Sequence, residues 1–564
     1  MLATVPHRGT VTRVVGNSAG AVGVSGDDGV QGVASVDGWL LAYAGIVDNP
    51  EQFGADPSAG GDDTAAALLS CLRATSATTV AAELRGLHAI AVVGPEGITC
   101  WRDHLGYASL FHRRSNGSVW IGSEAKQVVA GAGLVKEPNL DVVTQVFFGT
   151  AAGDTPSALL GVERVPRRRV VATSGTGRRE DVFWEPRDLL ESSSMGKDEY
   201  AETFGVLMDQ AVRRMMRGPD FVSLSGGVDS PVVAAFAAPA HREMFGTDLV
   251  AISSVYPDQP SVDESRYIEL VADDLKIPRH ARPPVALATD QLERWVALFD
   301  SPFPAVSISE SEEFYRWAHS LGCRVLLTGE VAEYLTEMSS HTLGHLLVKG
   351  RVGALNRRIS RERSVGRGFG FVGKKLIRSV LSDPLVDGLR RIRGTPRRTR
   401  MPEWITAAPE APPRRSDLTR WEAEQLGFFG GSGILLDAHD AITALTRVDV
   451  RRPFSDIDLW EATLRLRAEV KHADPRWKGL LRDVVRGHVP DPILDRRDKT
   501  VFDANLMANI DYAALERWLG APRHRLPGID YGLVSQAVER RSLDLVEFMW
   551  MKDLAAAHAF LDQW

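Results

Sequence analysis

Ser225-Gly226-Gly227-Val228-Asp229-Ser230 is the stretch on which the reading of this chain turns. An apolar, strand-like run, Phe221-Val222-Ser223-Leu224, leads into it. An Ala/Val-rich helical pattern opening Pro231-Val232-Val233-Ala234-Ala235-Phe236 follows. Strand, glycine turn and helix together make an anion-binding arrangement. Glycines let backbone N–H groups crowd a phosphate, and the helix N-terminus adds favourable partial charge. Ser230 is placed to cap that helix, with Pro231 in its first turn. Asp229 falls beside the phosphates, where a hard Mg²⁺ takes oxygen ligands.

Three apolar runs of strand length, Phe221–Leu224, Leu249–Val255 and Val325–Thr328, alternate with longer helical segments. The loops after them are rich in Gly, Asp and Glu. This alternation predicts a parallel sheet with ligands at the C-terminal ends of its strands. Upstream, to about residue 185, the pattern is short strands and turns with one helical stretch, Thr64 to Leu72. Residues 186–200 read as a linker, which divides the chain into domains over 1–185 and 201–564.

The segment from about 340 to 425 reads as an irregular insertion with basic and Pro-rich pieces. Within it, Gly368-Phe-Gly-Phe-Val-Gly373-Lys374-Lys375 fits GxGxxG, and fits a phosphate-binding lysine loop but for Lys375 in place of Ser/Thr. No convincing strand precedes it, so it reads as a flexible loop. His341 and His345 have i, i+4 spacing but lack the glutamate of HExxH, and read as an incidental pair.

The chain has 564 residues, 44% of them hydrophobic and 25% charged, which is the composition of a soluble globular protein of several domains. No apolar run is long enough for a membrane span, and the first residues lack a signal-peptide layout. Three distant cysteines, Cys71, Cys100 and Cys323, suggest neither a disulfide framework nor a CxxC metal site, so the chain reads as cytoplasmic. Net charge is −7 but uneven: residues 351–400 hold 15 Lys/Arg against three acids. That block is either a surface for an acidic partner or a solvated helical insertion. Without aromatic interleaving or an RNA module, it gives no case for nucleic acid.

The hexapeptide and its setting resemble the pyrophosphate loop of ATP pyrophosphatases, which cleave ATP to AMP and pyrophosphate. Further elements follow in the order used by asparagine synthetase-type enzymes. These are Ala251–Tyr256, Asp263-Glu264-Ser265, Phe299-Asp300-Ser301-Pro302-Phe303 and Leu327-Thr328-Gly329-Glu330-Val331-Ala332-Glu333. Val450–Asp456, Trp477-Lys478-Gly479 and Arg497-Asp498-Lys499…Phe502 complete them. The first 185 residues resemble a class II glutamine amidotransferase domain (Ntn-type, αββα) in His7-Arg8-Gly9, Ala44–Asn49, Asp62-Asp63-Thr64 and Leu84-Arg85-Gly86-Leu87. Arg102–Gly106 and Gly122–Lys126 extend that likeness. Such a domain needs a cysteine directly after the initiator Met, with its own amine as base. Leu2 stands there, and Ala44 stands where the oxyanion-stabilising Asn belongs. The resemblance therefore implies an α/β protein with a degenerate, structural amidotransferase half and an ATP-pyrophosphatase half.

A ligase of this family without a glutaminase takes its amine from a substrate. Two groups fit, β-lactam synthetases and lasso peptide cyclases; the shortened N-terminus and the long insertion favour the cyclase. That reading implies a leaderless core peptide as substrate, with a leader-binding protein and a leader peptidase as partners. A β-lactam synthetase or other small-molecule amide ligase is the alternative. By resemblance, ATP and Mg²⁺ are the cofactors. Leu224, Ser225, Gly226, Gly227, Asp229, Ser230, Val255 and Gly329 would bind ATP and its pyrophosphate; Asp229 and Glu333 would hold Mg²⁺. Glu333 departs from the family, which has Asp there followed by Glu, whereas Tyr334 follows here. Lys478 matches the essential lysine, and Glu330 the residue implicated in proton removal. Asp300 and Ser301 either line the pocket or turn the chain.

Overall fold

The computed structural model describes the chain except residues 10, 27–29, 152–153, 175–176, 286–290, 303–307, 337–338, 381–400, 410–416, 432, 497–506 and 508–509, and the side chains of 378 and 380. Phe303, the Arg497–Phe502 element and half of the basic block therefore lie outside the described residues.

The first half is built on antiparallel strands. β1 (Thr12–Asn17), β2 (Gly20–Ser25), β3 (Gly32–Val36), β4 (Trp39–Gly45), β5 (His88–Gly94) and β6 (Gly97–Arg102) come first. β7 (Phe111–Ser115), β8 (Ser118–Gly122), β9 (Glu163–Arg164), β10 (Arg169–Ser174) and β11 (Gly177–Val182) follow. Six of them form a sheet in the order β11-β10-β6-β5-β4-β3. Alternation along these strands gives each sheet face its own core. The helices Gly61–Ala74 and Ala77–Glu83 cover one face through Leu68, Leu69, Leu84, Ile90 and Trp101. The other face carries the β1–β2 hairpin, by Val24 against Val33 and Ala42, and the sheet β8-β7-β9, by Leu110 and Val165 against Ala89, Cys100 and Val171. A helix at Ala125–Gly131, started by a capping box of Glu124 and Gln127, backs that smaller sheet. Helix is thus more abundant than the single stretch read from sequence, since Ala77–Glu83, Ala125–Gly131 and Leu140–Phe147 are all helical. These are short helices of seven or eight residues, too short for a clear 3.6-residue period.

The second half holds a five-stranded parallel sheet. β12 (Asp220–Ser223), β13 (Val250–Ser254), β14 (Arg279–Arg282), β15 (Val325–Leu327) and β16 (Asp449–Arg451) are ordered β14-β13-β12-β15-β16. The chain runs outward from β12 to β14, then returns to the other side of β12 to make β15 and β16. The strand order therefore reverses between β12 and β15, and a crevice opens there at the C-terminal strand ends. Helices Asp229–Phe245 and Ser265–Leu275 cover one face, while Leu292–Phe299 and Ile308–Ser320 cover the other.

The segment read as irregular is largely helical where it is described: Thr342–Val348, Val352–Ser364, Phe369–Val380 and Arg420–Gln425. The glycine-rich "flexible loop" is the start of the Phe369–Val380 helix. Val372 and Leu376 form an i, i+4 apolar pair packed with Leu343 and Leu346, which outweighs the cost of its glycines. The Trp404 piece packs away from this segment: Trp404 is buried, and its carbonyl accepts from Asp530 N–H at 2.8 Å. No helix among the described residues is long and apolar enough to cross a membrane.

Ion pairs join the two halves. Buried Asp48 accepts from buried Arg451 and from Arg217 at 3.3 Å; Arg85 meets Asp458 at 3.0 Å; Arg164 donates to both oxygens of Asp437. Arg8 bridges Glu124 and Asp440, and Lys126 and Lys136 converge on Asp300. Removing one partner of a buried pair leaves an uncompensated charge. Asp48→Asn is therefore expected to destabilise the protein by about 3 kcal/mol, read as a lower denaturation midpoint, with much of the loss recovered in Asp48→Asn/Arg451→Met. Equal midpoints for wild type and Asp48→Asn would show that this pair does not hold the halves together.

Candidate active site

Leu224, Val255 and Gly329 come to the crevice from the ends of β12, β13 and β15. Leu224 is fixed on both sides: its N–H donates to the Ile252 carbonyl at 3.0 Å, and its carbonyl accepts from Ser253 Oγ at 2.7 Å. Val255 N–H donates to the Arg282 carbonyl at 3.0 Å, just beyond β13. The loop from Ser225 to Val228 then turns into the helix Asp229–Phe245, with Pro231 in its first turn as expected.

Ser230 does not cap that helix. Val228 holds the N-cap position without a side-chain bond, because the helix begins at Asp229, two residues earlier than the cap reading requires. The Ser230 hydroxyl instead accepts from Ser225 N–H at 2.8 Å and lies 2.9 Å from Ser225 Oγ, which closes the loop on itself.

Two glycines stand where neighbouring atoms leave no room for a side chain. A Cβ on Gly226 would lie 2.7 Å from Glu264 Cβ, and one on Gly329 would lie 2.6 Å from Ser230 N and 2.7 Å from Asp229 C. The end of β15 is thus laid directly on the helix N-terminus. The Gly226 N–H donates to Glu264 Oε2 at 2.9 Å, so the loop already takes an anionic oxygen. Arg496 braces that arrangement, donating to Glu264 Oε1 at 2.7 Å and to the Gly226 carbonyl at 2.8 Å.

Lys478, far along the chain, arrives at the same point. Its ammonium donates to Asp229 Oδ2, its side chain is buried, and Nζ lies 4.5 Å from the Trp477 ring centre. Lys478 is held at φ 53°, a left-handed conformation uncommon outside glycine, where it starts the helix Gly479–Val484. Val331 is held at φ 78°, which for a β-branched residue is strained, and it sits between Glu330 and Glu333. Burial raises the Glu333 carboxyl above its ordinary range, and nearby Asp229 adds to this while Lys478 opposes it. Among the described residues no group of three or more His, Cys, Asp or Glu is arranged for a metal ion. Asp229 and Glu333 are two carboxylates, the number Mg²⁺ typically takes when phosphate oxygens complete its shell.

Glu330 is half-buried and pairs with buried Arg452, whose Nε donates to Oε2 at 2.5 Å. Burial pushes the Glu330 carboxyl up, but Arg452 and His439 outweigh it, so its net shift is downward. Two further residues escape sequence reasoning here. His439 Nδ1 lies 3.3 Å from Arg452 and is pushed down to about 4, chiefly by burial and then by Arg452, so it stays neutral and can accept. Tyr107, from the first half, lies beneath Arg452 with the guanidinium 5.1 Å from its ring centre. Asp103 builds the loop that delivers Tyr107 by accepting four backbone N–H groups, from Leu105, Gly106, Tyr107 and Ala108. No spacing signal links these residues to Glu330.

Asp300 does not reach the crevice. It is buried at the end of the helix Leu292–Phe299, accepts from Lys126 N–H at 3.0 Å, and thereby joins the two halves. His345 bonds Thr419 at 2.9 Å and Glu191 at 3.0 Å, while His341 faces Ser379 at 3.3 Å, so the two histidines serve different partners. In the first half a cavity of about 960 Å³ lies between the two sheets, with Met1, Leu2, Tyr43 and Ala44 in its wall. None of the cysteines lines it.

Comparison with known proteins agrees with this geometry. Residues 204–544, more than half of the chain, match the asparagine synthase family, and residues 22–130 match a glutamine amidotransferase domain. Asparagine synthetase [glutamine-hydrolyzing] 3 of Bacillus subtilis is 22% identical over 427 residues, covering 70% of this chain and 63% of its own length. Among solved structures, the allosteric regulatory enzyme of purine biosynthesis is 12% identical, with a TM-score of 0.24 over 50% of this chain and 77% of its own. Glutamine phosphoribosylpyrophosphate amidotransferase from B. subtilis is 11% identical, with a TM-score of 0.23 over 50% of this chain and 78% of its own. The fold is α/β, an amidotransferase-like first half followed by a parallel-sheet half.

The ion pair with Arg452 sets the proton affinity of Glu330, so removing the cation should raise it. In Arg452→Met the largest lowering cause is gone and only His439 still opposes burial, so the carboxyl is expected to titrate higher than in wild type. Carbon-detected NMR of the glutamate side chains reads this directly; a downward shift in the variant would contradict the assignment of Arg452 as the cause.

Proposed function

The chain belongs to the asparagine synthase family, and on that footing we propose that it is an ATP-dependent, AMP-forming amide ligase that closes a macrolactam in a peptide. The observation that carries the ligase reading is the Lys478–Asp229 pair at the phosphate loop, with Glu333 close to both and Glu330 beyond it, paired with Arg452, after the same strand. A carboxylate is a poor electrophile. In this reading its oxygen attacks the α-phosphorus of ATP, forming an acyl-AMP anhydride as pyrophosphate leaves.

The phosphate-binding part is assigned to the loop. Ser225, Gly226, Gly227 and Ser230 are the N–H and O–H donors assigned to the pyrophosphate, and the close packing at Gly226 and Gly329 holds the loop in shape. Leu224 and Val255 line the nucleotide side. Mg²⁺, when bound, neutralises charge across the phosphates, and Asp229 and Glu333 are the carboxylates that would hold it. Lys478 leaves Asp229 for the phosphate oxygens and then stabilises the oxyanion as the amine adds; loss of one such donor typically costs about 10²–10³ in rate.

The amine is assigned to the substrate itself. Glutamine hydrolysis of the amidotransferase kind needs a cysteine nucleophile, and the first-half cavity has none in its wall. We assign the acceptor to an Asp or Glu side chain of a leaderless core peptide and the amine to its own N-terminus, as in lasso peptide cyclases. Holding both ends in one site supplies effective molarity that contributes several kcal/mol. An α-amino group titrates near about 7.7–8, so a usable fraction is neutral near pH 7. Once it attacks, its nitrogen becomes a strong acid, and even the low-affinity carboxylate of Glu330 suffices to take the proton. The amide forms, the acyl–phosphate bond breaks, and AMP leaves.

Incubation with ATP, Mg²⁺ and a leaderless peptide should give a product lighter by one water, with AMP and pyrophosphate in equal amounts. ADP in place of AMP would rule out the adenylation step, and a product only from a small amino acid would favour a β-lactam synthetase or related ligase. Asp229→Ala and Lys478→Ala are each expected to lower product formation by about 10²-fold or more with circular dichroism unchanged. Gly329→Ala should do the same by pushing β15 from the loop. Release of ammonia from glutamine above background would refute the assignment of the amine.

A further inference from the structure

A second cavity, of about 590 Å³, lies between the helix Val352–Ser364 of the basic segment and the stretch from Glu469 to Arg476 that leads into Lys478. Its cations are Lys197, Arg357, Arg358, Arg361 and Arg476, against Glu469, Asp474 and Asp483. The three carboxylates already have cationic partners: Asp483 meets Lys197 at 3.3 Å, Asp474 meets Arg476, and Glu469 meets Arg351 at 2.8 Å. Arg357 and Arg361, one helical turn apart on the same face, form no ion pair among the described residues.

Deeper in the wall, Arg358 is 4% exposed and donates to the His472 carbonyl at 2.5 Å and to Glu362 at 3.0 Å. Its Nε, though buried, finds no hydrogen-bond partner, and neither does Nε2 of His472, which is 3% exposed. Both atoms belong to residues of the cavity wall, and a polar guest there is one way of satisfying them.

We infer that this cavity binds a carboxylate of the peptide substrate, an inference that rests on the macrolactam reading for its occupant. Guanidinium groups present paired donors that match a planar carboxylate. The wall carries a net surplus of two positive charges beside three fixed carboxylates, which suits one or two acids and disfavours a polyphosphate. The cavity wall also touches the segment that carries Lys478. Asp474 packs so closely on Gly479 that a Cβ there would lie 2.5 Å from Asp474 Cβ, and Gly479 directly follows Lys478. A peptide anchored here by an acid is held against the segment that leads into Lys478. The acid is either the peptide's C-terminal carboxylate or an Asp/Glu side chain.

The test is binding to the full chain without ATP, by ligand-observed NMR in about 50 mM salt so that surface charge is not fully screened. The probes are N-acetyl-pentaalanine as the free acid, N-acetyl-pentaglutamate amide, and N-acetyl-pentaglutamine amide as the uncharged control. At least one acid is expected to bind about tenfold more tightly than the control, and which one does so identifies the source. Arg357→Ala/Arg361→Ala should weaken that binding about fivefold or more. Arg363→Ala/Lys374→Ala removes the same charge from the same segment outside the cavity and should leave it within about twofold. Acids that bind no better than the control, or equal losses in both double variants, would overturn the proposal. Both pairs are exposed, and thermal melts check that the variants fold. Since ATP is absent, a protein that forms AMP and product yet fails here refutes the pocket alone. One that binds through these arginines but forms no AMP refutes the ligase reading and leaves the carboxylate site standing.

Discussion

The ammonium of Lys478 against the carboxylate of Asp229 is the contact around which the second half is organised. The two residues stand 249 positions apart, one opening the helix after β12 and the other opening a helix near the end of the domain. A buried lysine without a counter-charge would be strongly penalised, so the Lys478 loop can only settle once Asp229 is fixed. Asp229 is fixed in turn by backbone on backbone: the end of β15 at Gly329 lies against its carbonyl carbon with no room for a methyl group. Sheet order, glycine and ion pair therefore enforce one another. The strain at Lys478 and Val331 is the price of meeting there, and it is borne by a densely packed surround.

The hexapeptide, the three strand runs and the order of the elements were enough to predict a parallel sheet with ligands at its C-terminal strand ends; that the strand order reverses between β12 and β15 is known only from the fold. They also named Asp229, Gly329, Glu330, Glu333 and Lys478, which the fold brings to one place. Local chemistry misled where two local rules competed. Ser230 has the side chain of a cap, yet its hydroxyl closes the loop on Ser225, because the helix has already begun at Asp229. Glycines at 368, 370 and 373 argue for a loop, yet an apolar pair on a neighbouring helix decides for helix. His439 and Tyr107 were beyond reach for another reason. Their importance lies in contacts between distant segments, and such contacts leave no spacing in the chain.

The first half owes its place to those same long-range contacts. Asp48, Arg85 and Arg8 lie in the stretches that resemble an amidotransferase, and all three form ion pairs that reach the second half, Arg8 while also holding Glu124. Burial opposes the charge of Glu124, but Arg8, His7 and Lys126 hold its carboxyl well below the usual range. Asp103 spends both its oxygens on organising the loop of Tyr107, whose ring supports Arg452. A half whose cavity wall lacks a cysteine thus still shapes the wall of the other half's crevice. Whatever chemistry the first half performs, these residues are not free to vary, since the geometry of Arg452 depends on them.

That dependence bears on how Glu330 takes part in the proposed reaction. A carboxylate paired with a buried guanidinium has too little proton affinity to deprotonate a resting α-ammonium, and burial alone would have given it more. The arrangement makes sense if the amine arrives neutral and loses its proton only after bonding to the acyl carbon, when that proton has become strongly acidic. Arg452 then has two effects. It keeps Glu330 ionised and oriented beside the acyl-AMP, and it prevents the carboxyl from entering the site protonated and competing as a donor. On this argument the pairing selects the timing of proton transfer, and neutral His439 on the far side of Arg452 leaves that balance unaltered across the range where the amine itself titrates.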